Sequence, residues 1–426
     1  MQAFLPAPKR WNVEYVGVEG FVAGNIWTTG RYHISQSASI IRIFLWALTL
    51  SSLPCAVLAN SGLLPAVPLH STEFPPLPPS QHFAAVVLQE ADTGQVLFAQ
   101  HAERIWPLAS LTKMMVGLLG LEAIERGSVA LHTPVKISRR ASRTGGRTVN
   151  LRAGEVLPFG ELLQAMLVTS ANGAAVAVAE KLSGSVEACV KSMNVRATAL
   201  GMRKSRFRTV NGLPPRGKTT PDQAPATDMG ILAQALLKYP QILQWTSRKK
   251  IPFRSGKELL PNTNFLVGRI AGVDGLKTGY TSKARFNLVT TAKRGRLRLI
   301  AVVLGGRSSR VRFQTAATLL EWGFANFTRL RLIRLGEPLW AEVQVEHGSV
   351  STLQPIAGKD TTFLVRTRDI QDLQISLQLP AVIPAPVTRH QILGRVVVRN
   401  KEQVFAIIPA LSPTKIPHAR WGAARR

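Results

Sequence analysis

The first folded unit begins at Phe83 with a short, continuous apolar run. Phe83-Ala-Ala-Val-Val-Leu-Gln89 and Gln95-Val-Leu-Phe-Ala99 flank Asp92-Thr-Gly94, which predicts two strands and a turn. The spacing then lengthens to the helical repeat around 110–126, 160–180, 185–200 and 226–239. Strand-like runs return at 286–292 and 297–304, joined by Lys293-Arg-Gly-Arg296, and a helix is predicted around 310–325, ending near Trp322-Gly323. Beyond about 328 the pattern changes character. Short β-rich runs, Leu339–Val345, Thr362–Val365, Leu373–Leu379, Arg395–Val398 and Val404–Ile408, are punctuated by Gly and Pro and read as a small all-β domain. Residues from Leu411 to Arg426 are basic and interrupted by Pro413 and Pro417.

The segment before Phe83 has a different logic. Arg31 and Arg42 precede the apolar run Ile43–Leu50, and small residues lead to Val57-Leu58-Ala59. Basic, apolar and small-residue regions in that order describe a secretory signal, and the run is short for a membrane span. Pro54 directly before Cys55 argues against lipoprotein processing. Cleavage after Ala59 would leave Cys189 as the one cysteine, so no intramolecular disulfide is expected. Pro65, Pro68, Pro75, Pro76, Pro78 and Pro79 stiffen the stretch 60–81 into a linker. The expected organisation is therefore an extension and signal over 1–59, the linker 60–81, a mixed domain over 82–328, a β-rich domain over 329–410 and a basic tail over 411–426.

Composition narrows the function classes. The 426 residues carry 53 Lys plus Arg against 24 Asp plus Glu, a net charge of +29, yet 46% are hydrophobic and only 18% charged. Such a chain is too apolar for a disordered polybasic segment. Aromatics make up 7% and do not interleave with the cations, so nucleic acid is a poor partner. The eight histidines show no metal-ligand spacing. Gly212-Leu-Pro-Pro-Arg-Gly-Lys-Thr219 fits a P-loop by its letters, but Pro214 and Pro215 lack the N–H groups that cradle phosphate.

Three short motifs remain. Ser110-Leu-Thr-Lys113 opens an apolar helical run, and the i, i+3 spacing puts hydroxyl and amine on one face. Serine needs a base, and a lysine enclosed by apolar groups and other cations can lose its charge and act as one. The plainer reading is a helix cap beside a solvated lysine, and Ser247-Arg-Lys-Lys250 matches the same pattern in a surface-like cationic run. Ser170-Ala-Asn172 follows an apolar helical stretch, where a hydroxyl and a carboxamide can share a cleft or merely cap a helix; Ser192-Met-Asn194 is its decoy. Lys277-Thr278-Gly279 stands just before the strand at 286–292, where it could hold a carboxylate or form an ordinary basic turn.

The three motifs in this order form the set of penicillin-binding proteins and class A β-lactamases. With Pro107-Leu-Ala-Ser-Leu-Thr-Lys-Met-Met115, Asp274-Gly-Leu-Lys-Thr-Gly279, Asn287-Leu-Val289 and Gly305-Gly-Arg307, the chain resembles the low-molecular-mass penicillin-binding proteins, serine D-alanyl-D-alanine carboxypeptidases, over roughly 83–410. The resemblance implies an α+β fold: a β-lactamase-like transpeptidase domain with an antiparallel sheet and a helical subdomain, then a small all-β domain. It implies that Ser110 is the acyl-ester nucleophile, Lys113 the general base, Ser170 a proton relay and Asn172 an orienting amide. Lys277, Thr278, Gly279 and Tyr280 would bind substrate, joined by Arg307, and the Ser110 and Tyr280 N–H groups would form the oxyanion hole. Lys277 and Arg307 are expected to suppress a positive charge on Lys113. Peptidoglycan stem peptides would be the substrates and β-lactams covalent inhibitors, with no metal or cofactor. An exported protein of the periplasm or cell envelope, peripheral to the membrane or to anionic polymers, follows.

Departures and alternatives belong to the same reading. Gly173 stands where the family often has Asp, Tyr280 where it often has His, and Arg285 where Gly is common. A D,D-endopeptidase and a β-lactamase share the motifs, although no deacylating carboxylate is evident between Ser170 and Lys277. A catalytically silent wall-binding protein would use the basic surface alone.

Overall fold

A computed structural model describes residues 11–15, 74–213, 220–400 and 403–419. The signal-like run, Cys55, the start of the linker, Pro214, Pro215, Arg420, Arg425 and Arg426 lie outside the described residues. The chain divides into two compact units, one ending at Asn326 and one that joins residues from Phe327 onward to an N-terminal strand.

The first unit is built on a five-stranded antiparallel sheet. Its order is Val273–Thr281, Arg285–Arg294, Leu297–Gly306, Ala85–Glu90 and Val96–Gln100. The middle strands are apolar on both faces because helices cover both. Ala85, Val87, Ile300, Val302 and Leu304 join the helical core. Leu88 and Leu299 instead meet Gly323 of the helix Ser309–Asn326, where even a methyl group would lie 2.6 Å from Leu299.

Lys113–Glu125 is the central helix and is buried along most of its length. It is apolar all round, as expected of a helix with no solvent face. Gly117 and Gly120 leave room for Leu167 and Leu163 across the contact. The helix expected over 160–180 is interrupted. Phe159–Gln164 passes into a π turn at Ala165–Thr169, Ser170 turns left-handed, and a separate helix runs from Asn172 to Ser183. Lys277-Thr278-Gly279 lies inside the nine-residue strand Val273–Thr281, not in a turn before a strand. That strand is buried on both faces and contains Asp, Lys and two Gly, so it shows no alternation.

The second unit has a sheet ordered Trp11–Tyr15, Gln374–Leu379, Ile392–Asn400, Gln403–Leu411 and Ile356–Ala357. Trp11–Tyr15 pairs in parallel with Gln374–Leu379, although the sequence reading places it in a removable extension. Its strand character depends on a partner edge more than 350 residues away in sequence, which periodicity cannot supply. Two further boundaries move. The unit opens with the strand Phe327–Ile333, paired with Thr361–Arg366. Part of the expected tail belongs to the unit as well: Ile416 is buried and exchanges backbone hydrogen bonds with Val387. The core collects Ile375, Leu377, Leu379, Val396, Val398, Ile408 and Ala410.

Candidate active site

Ser110 sits on a strained turn, not on the central helix itself. Ala109 takes a left-handed φ of 49°, Ala109–Thr112 form a 3-10 turn, and the α-helix starts at Lys113. Such backbone persists only where packing over-determines it. Leu108, Leu111, Thr112 and Met114 are buried around it. Asn287 holds the approach: its Nδ2 donates to the carbonyls of Pro107 (2.8 Å) and Leu108 (3.0 Å), and its Oδ1 accepts from Gly305 N. The sequence reading used Asn287 only as part of a family motif.

Lys113 is fully buried, with three acceptors around Nζ: Ser110 Oγ at 2.9 Å, Asn172 Oδ1 at 2.7 Å and the Asn211 carbonyl at 2.7 Å. A charged ammonium would donate to all three. A neutral amine has two N–H bonds and a lone pair. With those bonds given to Asn172 and Asn211, the lone pair faces the Ser110 hydroxyl. Asn211 contributes only its backbone, so its side-chain identity carried no signal.

Asn172 is the hinge between the first two motifs. Its amide also donates to Gly145 O (2.8 Å), and its backbone N–H donates to Arg147 O (2.8 Å). Arg147 Nε returns to Thr169 O at 2.8 Å, so the 145–147 segment clasps the Ser170 turn from both sides. Ser170 itself is buried, at φ 71° and ψ 28°. Gly173 has a steric reason: a side chain there would meet the Ala141 carbonyl at 2.5 Å, so an aspartate does not fit. The decoy Ser192 and Asn194 lie on the helix Val186–Ala199 and bond within it and to Phe207. The second Ser-x-x-Lys, Ser247 to Lys250, is exposed throughout.

The strand Val273–Thr281 runs against the Ser110 turn. A methyl group at Gly279 would lie 2.8 Å from Leu108 O and 3.3 Å from Ser110 N, so glycine permits the contact. Lys277 and Thr278 are buried, and Lys277 Nζ donates to Thr278 O. Tyr280 is 56% exposed and stacks on Phe286 with ring centroids 4.4 Å apart. Arg285 is exposed at φ 55°, a conformation that explains why glycine suits this position.

Arg307 is exposed, and its backbone N–H bonds to His82 O. The arginine beside the third motif is Arg312, on the helix Ser309–Asn326. It is buried over the Phe286 and Phe313 rings and donates to Gly279 O and Asn287 O. Sequence pattern favoured Arg307 for its place in Gly-Gly-Arg; helix direction selects the residue five positions on.

Electrostatics follow burial. Desolvation lowers the Lys113 pKa to about 7, against an opposing pull from Asp222. Lys277 is held well below its usual range, first by burial and then by Lys113, Arg312 and Arg147. Burial lowers Arg312 to about 10. Of the two causes expected to lower Lys113, enclosure and the charges of Lys277 and Arg307, burial is the one that acts on it, and the like-charge effect falls on Lys277. Asp222 was missed in the sequence, where it is the one acidic residue between Glu187 and Asp228. No cluster of metal-ligating side chains occurs among the described residues.

Comparison with known proteins places this geometry. Residues 73–308 match the family described as D-alanyl-D-alanine carboxypeptidase, and residues 327–418 match the penicillin-binding protein 5 C-terminal domain. The chain is 34% identical over 330 residues to the D-alanyl-D-alanine carboxypeptidase DacF of Bacillus subtilis, covering 76% of this chain and 83% of that one. Among solved structures it is similar to penicillin-binding protein 5 of Haemophilus influenzae, with a TM-score of 0.63 and 27% identity over 80% of this chain and 99% of that one. It is also similar to penicillin-binding protein D2 of Listeria monocytogenes in its ampicillin-bound form, with a TM-score of 0.53 and 31% identity over 57% and 98%. The chain belongs to the D-alanyl-D-alanine carboxypeptidase family.

Proposed function

We propose that this enzyme removes the terminal D-alanine from peptidoglycan stem pentapeptides through an acyl-enzyme on Ser110. The observation that carries the reading is the buried Lys113 amine, within 2.9 Å of Ser110 Oγ and braced by two acceptors. In the neutral form Lys113 takes the hydroxyl proton as Oγ attacks the carbonyl of the penultimate D-alanine. The backbone N–H groups of Ser110 and Tyr280 receive the developing oxyanion; in other enzymes one such donor is worth about 10²–10³ in rate. The bond to the terminal D-alanine breaks, and Ser170 passes a proton to the leaving amine. Water then cleaves the acyl ester, with Lys113 again as base.

Lys277, Thr278 and Arg312 form the cationic and polar end of the site. An incoming carboxylate would offset the burial and the repulsion that disfavour charge on Lys277, so binding and protonation of Lys277 reinforce each other. A β-lactam presents a similar carboxylate and a strained amide to Ser110, consistent with the ampicillin complex of the Listeria neighbour.

The experiment pairs D-alanine release from a pentapeptide with labelling by a fluorescent penicillin. The wild-type protein should do both, and Ser110→Ala should do neither. Retained labelling in Ser110→Ala would remove the nucleophile assignment. Fast turnover of penicillin without D-alanine release would move the enzyme to the β-lactamases. The signal-like order at 31–59 and the net charge of +29 further support export to the periplasm or cell envelope and contact with anionic surfaces there.

A further inference from the structure

Asp222 lies outside all three motifs, yet it is 1% exposed and its carboxylate accepts four hydrogen bonds. Two come from backbone N–H groups, Arg208 at 2.5 Å and Thr209 at 2.9 Å. Two come from hydroxyls, Thr209 Oγ1 at 2.5 Å and Thr112 Oγ1 at 2.9 Å. The backbone groups can only donate. Thr209 Oγ1 already accepts from Gly212 N at 2.8 Å, so its own proton is free for Asp222. Burial pushes the Asp222 carboxyl up from its usual range, and the four converging donors pull it back toward the ionised form.

The connections run to both sides of the nucleophile. Thr112 is the last residue of the Ser110 turn and directly precedes Lys113. The 208–212 loop supplies the Asn211 carbonyl to Lys113 Nζ. The loop also touches the turn at its strained residue. A methyl group on Gly212, whose φ is +87°, would lie 1.9 Å from Ala109 O. The Asp222 backbone closes the joint from a third direction, its carbonyl accepting from Leu108 N at 2.9 Å.

We propose that Asp222 is a positioning residue for acylation: its carboxylate fastens the Ser110–Lys113 turn to the loop that braces Lys113, and its negative charge acts on the Lys113 amine. The claim rests on Lys113 being the base. Around that amine the facing groups are Ser110, Asn172, the Asn211 carbonyl, Asp222 and Lys277, with Arg147 and Arg312 beyond Lys277. Arg208 turns its guanidinium to Pro221 O at the surface. Asp222 is therefore the anion that counters a surplus of cations. Its loss leaves the ammonium form of Lys113 less favoured, so the lysine becomes neutral at lower pH.

The test is the pH dependence of acylation by a fluorescent penicillin, on the full chain, for wild type, Asp222→Asn and Thr112→Val. Asp222→Asn should lower the plateau rate about tenfold or more and move the acid limb down by about one pH unit. Thr112→Val keeps the anion and cuts its link to the turn; its rate should fall while the limb stays within about 0.3 unit of wild type. A slower Asp222→Asn enzyme with an unmoved limb overturns the proposal, since loosened packing alone produces that. Should Asp222→Asn fail to fold, a wild-type rate in Thr112→Val overturns it instead. Lys113→Ala separates the two readings: normal acylation there removes the lysine base itself, whatever Asp222 does.

Discussion

At the scale of single residues, the proposed chemistry turns on the Lys113 amine, for which three acceptors compete. Below a pH of about 7 the ammonium donates to all three, and Ser110 has no base. Above that value the lone pair is free. Acylation by penicillin should therefore rise with pH through about 7 and level off above it. Stopped-flow labelling from about pH 5 to about pH 9 checks this, and a flat profile would exclude the lysine as base. Gly212 is the second residue whose identity is forced. Gly212→Ala combines a left-handed φ with a clash against Ala109 O. It should cost about 1–3 kcal/mol of stability and slow labelling about tenfold or more. Thermal unfolding and labelling rate, measured together, separate the two effects; unchanged labelling would show the contact to be dispensable.

At the scale of elements, the site is a junction of pieces that are not neighbours in sequence. The nucleophile turn, the π turn before Ser170, the 208–212 loop and the strand Val273–Thr281 each contribute one wall. Loops that carry such walls need their own anchors. Arg254 is one: it reaches Glu155 (2.7 Å), Glu258 (2.7 Å) and the carbonyls of Val149 and Asn150. It thereby ties the hairpin Lys250–Phe253 and Glu258–Pro261 to the segment that follows the Gly145–Arg147 clasp. Its side chain and that of Glu155 are each 18% exposed, so Arg254→Ala leaves a largely buried carboxylate with only the Arg152 N–H as donor among the described residues. The expected loss is about 2 kcal/mol, or roughly 5 °C in melting temperature. A scanning calorimeter reads it, and a shift below about 1 °C would mean that the network is solvated in practice. The same scale explains the missed strand at 273–281. Its glycines make room for Leu108 O and for Thr246 Oγ1, and its lysine is buried, so it obeys contacts from outside itself and not a period of two.

At the scale of the whole molecule, the surplus of cations is the clearest property. Residues 1–59 hold only four basic and two acidic residues, so the surplus stays with the remainder of the chain. Lys113, Lys277 and Arg312 are buried in the site, which leaves most of the charge for other surfaces. The purified protein should cosediment with vesicles containing anionic lipid at low salt and detach near 0.5 M salt, on the order of 1 kcal/mol per engaged cation. Equal binding to neutral vesicles, or binding indifferent to salt, would refute an electrostatic attachment. The sequence by itself placed the helices Lys113–Glu125, Val186–Ala199, Ala226–Leu237 and Ser309–Asn326 and the inner strands of the first unit, but not the π turn at Ala165–Thr169, because long apolar runs are legible locally and a break imposed by neighbours is not. It also singled out Ser110, Lys113 and Asn172, which meet at Lys113 Nζ, because their spacing is local and their order matches a known set. The tertiary structure alone decided the rest. Arg312 is buried beside Gly279 while Arg307 is exposed, because the direction of a helix, not a motif, aims the guanidinium. Asp222 reaches the turn through space from 110 residues away. Trp11–Tyr15 is a strand because a distant edge accepts it. In each case the deciding energy is a contact between segments remote in sequence, and no local pattern records such a contact.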